Sequence, residues 1–155
     1  MAVRFLVILT VLLAGRAQAH CQIPCGIYGD DLRLALLDEH VTTLEKAMQQ
    51  IVALGTKNPL DLHQTTRWIE TKEHHAKEIQ SLVADYFLTQ RIRPAAEAEA
   101  AAHRTYVRQL TTLHGILLAA MKARQGTDLE HIAELRTLLR DFRSLYGSTA
   151  IIPAR

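Results

Sequence analysis

Apolar residues return at alternating steps of three and four from Leu34 onward, through Leu37, Val41, Leu44, Met48 and Ile51. With 3.6 residues to a helical turn, that spacing lines them along one face, the seam a helix presents to a bundle. The stretch opens at Asp30 and Asp31, either of which can cap it, and closes at Leu54-Gly55. Beyond Gly55-Thr56-Lys57-Asn58-Pro59 the pattern predicts a second helix from Asp61 to Arg91. It stops ahead of Arg93-Pro94, because the residue before a proline is pushed out of the helical region. The seam of this helix is Ile69, Lys72, Ala76, Ile79, Val83 and Tyr86. Lys72 is a charge on an apolar stripe, so it needs a partner or a route to water.

A third helix is expected from Pro94, a good first-turn residue, through the alanine-rich Ala95 to Ala102 and on to Arg124, with Gln125-Gly126 as its stop. Its inward set is Tyr106, Leu110, Leu113, Leu117 and Ala120. The fourth starts at Thr127-Asp128-Leu129-Glu130, which fits a capping box, and runs through Ile132, Leu135, Leu139 and Phe142 to Gly147. No segment carries a strand pattern. Four amphipathic helices joined by short turns imply antiparallel neighbours, hence an all-α, up-and-down four-helix bundle over residues 31–147 with an irregular tail over 148–155. Such a bundle hosts many unrelated activities, so the fold leaves function open.

Residues 1–19 read differently. A basic start with Arg4, the apolar run Phe5 to Gly15 and the small-residue sequence Ala17-Gln18-Ala19 form the pattern of a cleavable leader. A permanent anchor would need about 20 apolar residues. The run here spans eleven and is followed at once by Arg16. A lipoprotein cut before Cys21 is disfavoured by the bulky His20, so the expected cut falls after Ala19. Loss of Arg4 and Arg16 leaves 16 basic residues of 18 against 16 acidic ones. A formally neutral chain has no global attraction to nucleic acid or to an anionic membrane, and a small diffusing substrate suits it better.

Chemistry has to come from residues 20–30, His20-Cys21-Gln22-Ile23-Pro24-Cys25-Gly26-Ile27-Tyr28-Gly29-Asp30. The two cysteines of the chain, Cys21 and Cys25, both lie here. In an exported protein a disulfide is the plain reading, and a zinc-scavenging end is another, but so short a loop beside a free end would constrain little of a helical body. Cleavage after Ala19 would free an α-amine beside an imidazole, a peptide nitrogen and a thiol, with the second thiol four positions on. A cation that deprotonates both thiols and the Cys21 amide could take that amide, the His20 amine and two sulfurs in one plane. The planar arrangement favours Ni(II) or Cu(II) over tetrahedral zinc. The His20 imidazole is left for an axial position, and Pro24 and Gly26 let the segment curl back on itself.

The string HCQIPCGIY resembles the nickel-hook signature of the nickel superoxide dismutase family, His-Cys-x-x-Pro-Cys-x-x-Tyr at the mature N-terminus. Ala84-Asp85-Tyr86-Phe87 resembles that family's second-helix motif ending in Asp-Tyr-Phe. The resemblance implies a four-helix bundle assembled as a homohexamer, a processing peptidase, and one nickel ion per subunit. It also implies superoxide disproportionation to oxygen and hydrogen peroxide by Ni(III)/Ni(II) cycling. Residue by residue, it implies His20 as amine and axial imidazole, Cys21 as amide and thiolate, and Cys25 as second thiolate. Tyr28 would screen the open metal face, with Tyr86 close behind it. Two positions depart from the family pattern. Gln22 stands where an acid is common, and the arginine expected on the second helix to hold the axial imidazole is replaced by Thr71 or Lys72. Lys72 paired with Asp38 or Glu39 is the expected substitute.

The other histidines, His40, His63, His74, His75, His103, His114 and His131, include no pair at i, i+4 spacing. Adjacent His74 and His75 point about 100° apart on a helix, so surface or partly packed roles are expected rather than a second metal site. Glu70 to Glu78 reads as a solvated face with pairs such as Glu73 and Lys77. The rival functional reading is an exported helical carrier of nickel or copper without turnover. Tyr28 argues against it, because a carrier has no need of a screened metal face. The leader points to the periplasm or the exterior. A cytoplasmic enzyme with a cleaved pro-segment is the alternative.

Overall fold

The computed structural model describes residues 29–147. The leader, the hook up to Tyr28 and the tail over 148–155 lie outside the described residues. Within them the chain forms α1 (Asp30–Gly55), α2 (Leu62–Ser81), a π-helical segment that continues α2 (Leu82–Arg91), α3 (Ala100–Gln125) and α4 (Glu130–Gly147). No strand occurs among the described residues.

Cross-helix contacts fix the directions. Asp30 at the start of α1 meets Tyr86 and Arg91 at the end of the second helix, and His40 meets His75. Gln80 reaches Leu117, while Lys72 reaches Ala123 at the end of α3. Gln109 bonds Leu145, and the space a side chain at Gly115 would need is filled by Leu138, 3.2 Å away. Arg136 pairs with Glu45 and Arg143 with Asp38. Every neighbouring pair is therefore antiparallel, and the helices close a four-helix bundle.

The predicted seams fill the core with few changes. Leu37, Val41, Leu44 and Met48 of α1 are fully buried, as are Ala76, Ile79 and Val83, against Leu113, Ile116, Ala120, Leu135 and Phe142. Ile69 is the exception on α2, 42% exposed. It lies one turn before Lys72, which itself already meets the last residues of α3. On α3 the buried face is Gln109, Leu113, Ile116, Ala120 and Ala123, with Tyr106, Leu110 and Leu117 at its border. The helix is thus rotated slightly from the expected stripe.

Helix starts correct the reading in three places. The N-cap of α1 is Gly29, without a side-chain cap, so Asp30 and Asp31 do not cap it. Helix α3 starts at Ala100, not after Pro94. Ile92 is extended and buried, and His103 Nδ1 lies 3.0 Å from the Ala95 carbonyl, so tertiary anchoring overrides alanine propensity. At α4 the cap is Asp128, whose Oδ1 accepts from Glu130 N at 2.9 Å, in place of a Thr127 capping box.

Lys72 is buried, but Asp38 and Glu39 are not its partners. Its Nζ donates to the carbonyls of Ala123, Arg124 and Gly126 and stands 3.4 Å from Glu73 Oε1. An ammonium at the carbonyl end of α3 meets the negative end of the helix dipole and satisfies carbonyls that have no partner within the helix. Asp38 instead pairs with Arg143 of α4. Lys72→Met is accordingly expected to lower stability by about 1–2 kcal/mol. Superoxide turnover per bound nickel should stay unchanged. Thermal unfolding and a metal-normalised assay together check both halves.

Candidate metal centre

His20, Cys21, Cys25 and Tyr28 lie outside the described residues, which begin at Gly29. Gly29 carries the chain into α1 in an extended conformation, φ −78° and ψ 136°. The next residue, Asp30, turns its carboxylate inward. Oδ1 accepts from the Tyr86 hydroxyl at 2.5 Å and from Arg91 Nε at 2.6 Å, while Oδ2 accepts from the Tyr146 hydroxyl at 2.9 Å. Three helices thus converge on the first residue after the hook.

The π-helical segment makes this convergence feasible. In an α-helix, residues five apart point roughly 140° away from each other. Here the Ile92 amide donates to the Phe87 carbonyl at 2.9 Å, Thr89 Oγ1 to Ala84 O and Gln90 Nε2 to Asp85 O, all five residues back. The wider turn brings Tyr86 and Arg91 to the same side, with the guanidinium 5.3 Å from the phenol ring centroid. It also lets consecutive Tyr86 and Phe87 both be buried. Such segments are rare, and they occur disproportionately at functional sites.

Charge in the cluster is compensated. Burial alone would raise the Asp30 carboxyl, but the hydrogen bonds from Tyr86, Arg91 and Tyr146, with the charge of Arg91, hold it below its ordinary value. Burial, then the bond to Asp30 and its charge, push the Tyr86 hydroxyl up to about 12. Tyr146 is raised for the same reasons. Both phenols therefore keep their protons at neutral pH and act as fixed donors. Arg33 stands over the outer Tyr86 ring, 5.4 Å from its centroid. Phe87 meets Phe142, Tyr86 and Tyr146 edge to face, so the cluster rests on an aromatic floor.

Among the described residues no group of three or more histidine, cysteine or carboxylate side chains is gathered for a metal ion. The donors expected of the hook string, two thiolates with an amine and a deprotonated amide, would suit a tetragonal nickel ion. A family profile for nickel-containing superoxide dismutase matches residues 15–150, a span that takes in the hook string and all four helices. The chain belongs to the nickel-containing superoxide dismutase family. No curated protein matches it, and no solved structure does. As a member of this family the protein is an oxidoreductase that disproportionates superoxide with a nickel cofactor.

Of the predicted site residues, the structure describes Tyr86, which is 5% exposed and joined to the root of the hook. Asp30, Arg91 and Tyr146 were not expected in this cluster. Asp30 reads in sequence as a helix cap, and its partners lie 56, 61 and 116 residues away. The one local hint was the Asp-Tyr-Phe string that ends in Phe87. No helix among the described residues is long and apolar enough to cross a membrane.

Proposed function

We propose that the mature enzyme begins at His20 and holds its nickel through the His20 amine and imidazole, the Cys21 amide and thiolate, and the Cys25 thiolate. The reading is carried by the HCQIPCGIY string directly after a leader pattern. It is supported by the anchored carboxylate two residues after Tyr28. When bound, nickel supplies one-electron chemistry, taking an electron from one superoxide and returning it, with two protons from solvent, to another. The protein's own part is positional. Tyr28 shields the metal from bulk water and admits a small anion. Tyr86, with its proton held by Asp30, supports the hook from behind and does not serve as a base.

A peptidase that cuts after Ala19 is part of the proposal, because an α-amine acylated by the leader cannot bind metal. So are assembly as a homohexamer, carrying one nickel per subunit, and export to the periplasm or exterior. N-terminal sequencing, metal analysis and a superoxide assay on the same preparation test it. Active protein should start at His20 and carry one nickel per chain. Activity in a chain that retains its leader would overturn the ligand set.

A further inference from the structure

The bundle carries a second concentration of imidazole away from the hook. His40 of α1 and His75 of α2 lie 35 residues apart in sequence, yet their Nδ1 atoms are 2.9 Å apart. Their ring centroids are 5.0 Å apart at an interplanar angle of 55°. His74 is the next neighbour, its ring 5.2 Å from that of His75 and edge-on to it. Both rings of the close pair are half-buried, and the carboxylates of Glu39 and Glu78 act on them from nearby. Burial and the neighbouring imidazoles lower the pKa of each ring. At neutral pH the pair is therefore uncharged and has lone pairs to offer.

One ring carrying its proton on Nδ1 can donate it to the other's Nδ1, and with both protons on Nε2 the same two lone pairs are free to hold a metal ion instead. Metal–nitrogen bonds of about 2.0–2.1 Å, meeting at 90° to 110°, put two donor nitrogens roughly 2.9–3.4 Å apart. The observed spacing falls at the right-angled end of that range, the end occupied by tetragonal ions.

We infer that His40 and His75 form a second, two-imidazole site for a divalent transition-metal ion, separate from the hook and clamping α1 to α2. With no third protein ligand gathered among the described residues, water completes the coordination, so the ion exchanges more readily than one held by thiolates. The negative charge of Glu39 and Glu78 favours a cation there.

The test uses the full chain with His20→Ala, Cys21→Ser and Cys25→Ser, which removes the hook's imidazole and thiolates and makes the outcome independent of the hook assignment. Nickel(II) chloride alone is the probe. One nickel should bind, its affinity falling at least about tenfold in His40→Phe or His75→Phe and less than about threefold in His74→Ala. Because a ring substitution could disturb α1 against α2, the unsubstituted rings are also followed by NMR. Paramagnetic nickel should broaden the ring protons of His40 and His75 before those of His63, His103, His114 or His131. Uniform broadening of all histidines, or undiminished nickel binding in the doubly substituted His40→Phe/His75→Phe chain, would overturn the site.

Discussion

Replacing Cys25 by serine is expected to abolish superoxide disproportionation and nickel retention together while leaving the helical body intact. A thiol with a pKa of about 8.5 becomes a thiolate readily when a metal competes for its proton, whereas a serine hydroxyl stays neutral at any pH the protein survives. The hydroxyl is also a hard donor where nickel in this setting wants a soft anionic one. The loss should be complete, because one sulfur cannot close the chelate that two do. Among the described residues the core runs from Leu37 to Phe142, and each of its members is held by other helix residues. Far-UV circular dichroism and the Tm of the metal-free chain should match those of the parent. If Cys25→Ser lowered the Tm of metal-free protein by several degrees instead, a structural disulfide between Cys21 and Cys25 would be the better account. Retained turnover would remove Cys25 from the ligand set altogether.

The periodicity of apolar residues carried the fold because helix packing is a local matter: Leu37, Val41, Leu44 and Met48 share a face whatever the partner is. The proposed metal site can be read only where it is contiguous in sequence, in the nine residues of HCQIPCGIY. Its support was not legible, because it is built by register between helices. Lys72 shows the difference well. A charge on an apolar stripe was rightly read as needing a partner, but the partner followed from pairing geometry that no spacing rule contains. In the antiparallel α1–α2 pair, where Asp30 meets Tyr86 and His40 meets His75, Lys72 is level with residues near 43 or 44. Asp38 is then roughly six residues, ~9 Å, too far along α1, while the end of α3 stands directly opposite. His40 and His75 escaped notice for a related reason. A search for i, i+4 pairs finds chelates on one helix and is blind to those formed between two. The π-helical turn over Leu82–Arg91 has no recognisable pattern either, yet without it Tyr86 and Arg91 would not share Asp30.

Asp30→Asn is expected to cost both stability and turnover, and the two losses have one physical origin. The side chain is 19% exposed and accepts three charge-assisted or short hydrogen bonds. Asparagine keeps the shape but removes the charge that Arg91 faces, and turns one acceptor into a donor aimed at groups that also donate. Breaking such a partly enclosed pair costs about 2–3 kcal/mol, a Tm lower by roughly 10 °C for a domain of this size. The effect depends on pH with a definite sign. The folded carboxyl titrates below its ordinary value of 3.8, so its contribution is full above that value and disappears as pH falls through the lower folded one. Parent and Asp30→Asn chains should therefore differ fully at pH 6 and converge in stability as pH falls below 3.8. At the alkaline end, tyrosines ionise near pH 10 in the unfolded chain while folded Tyr86 holds its proton to about 12. The parent should lose stability across that interval, and Tyr86→Phe should lose less. Turnover should fall about 10–100-fold in Asp30→Asn, the range typical of residues that hold metal ligands in place. Asp30 lies two residues after Tyr28, and with Tyr86 and Arg91 released the chain that follows the proposed hook would lose its fixed base. Nickel content and kcat measured on the same Asp30→Asn preparation separate loss of metal from loss of positioning. Unchanged kcat at full nickel occupancy would show that the carboxylate only stabilises the bundle.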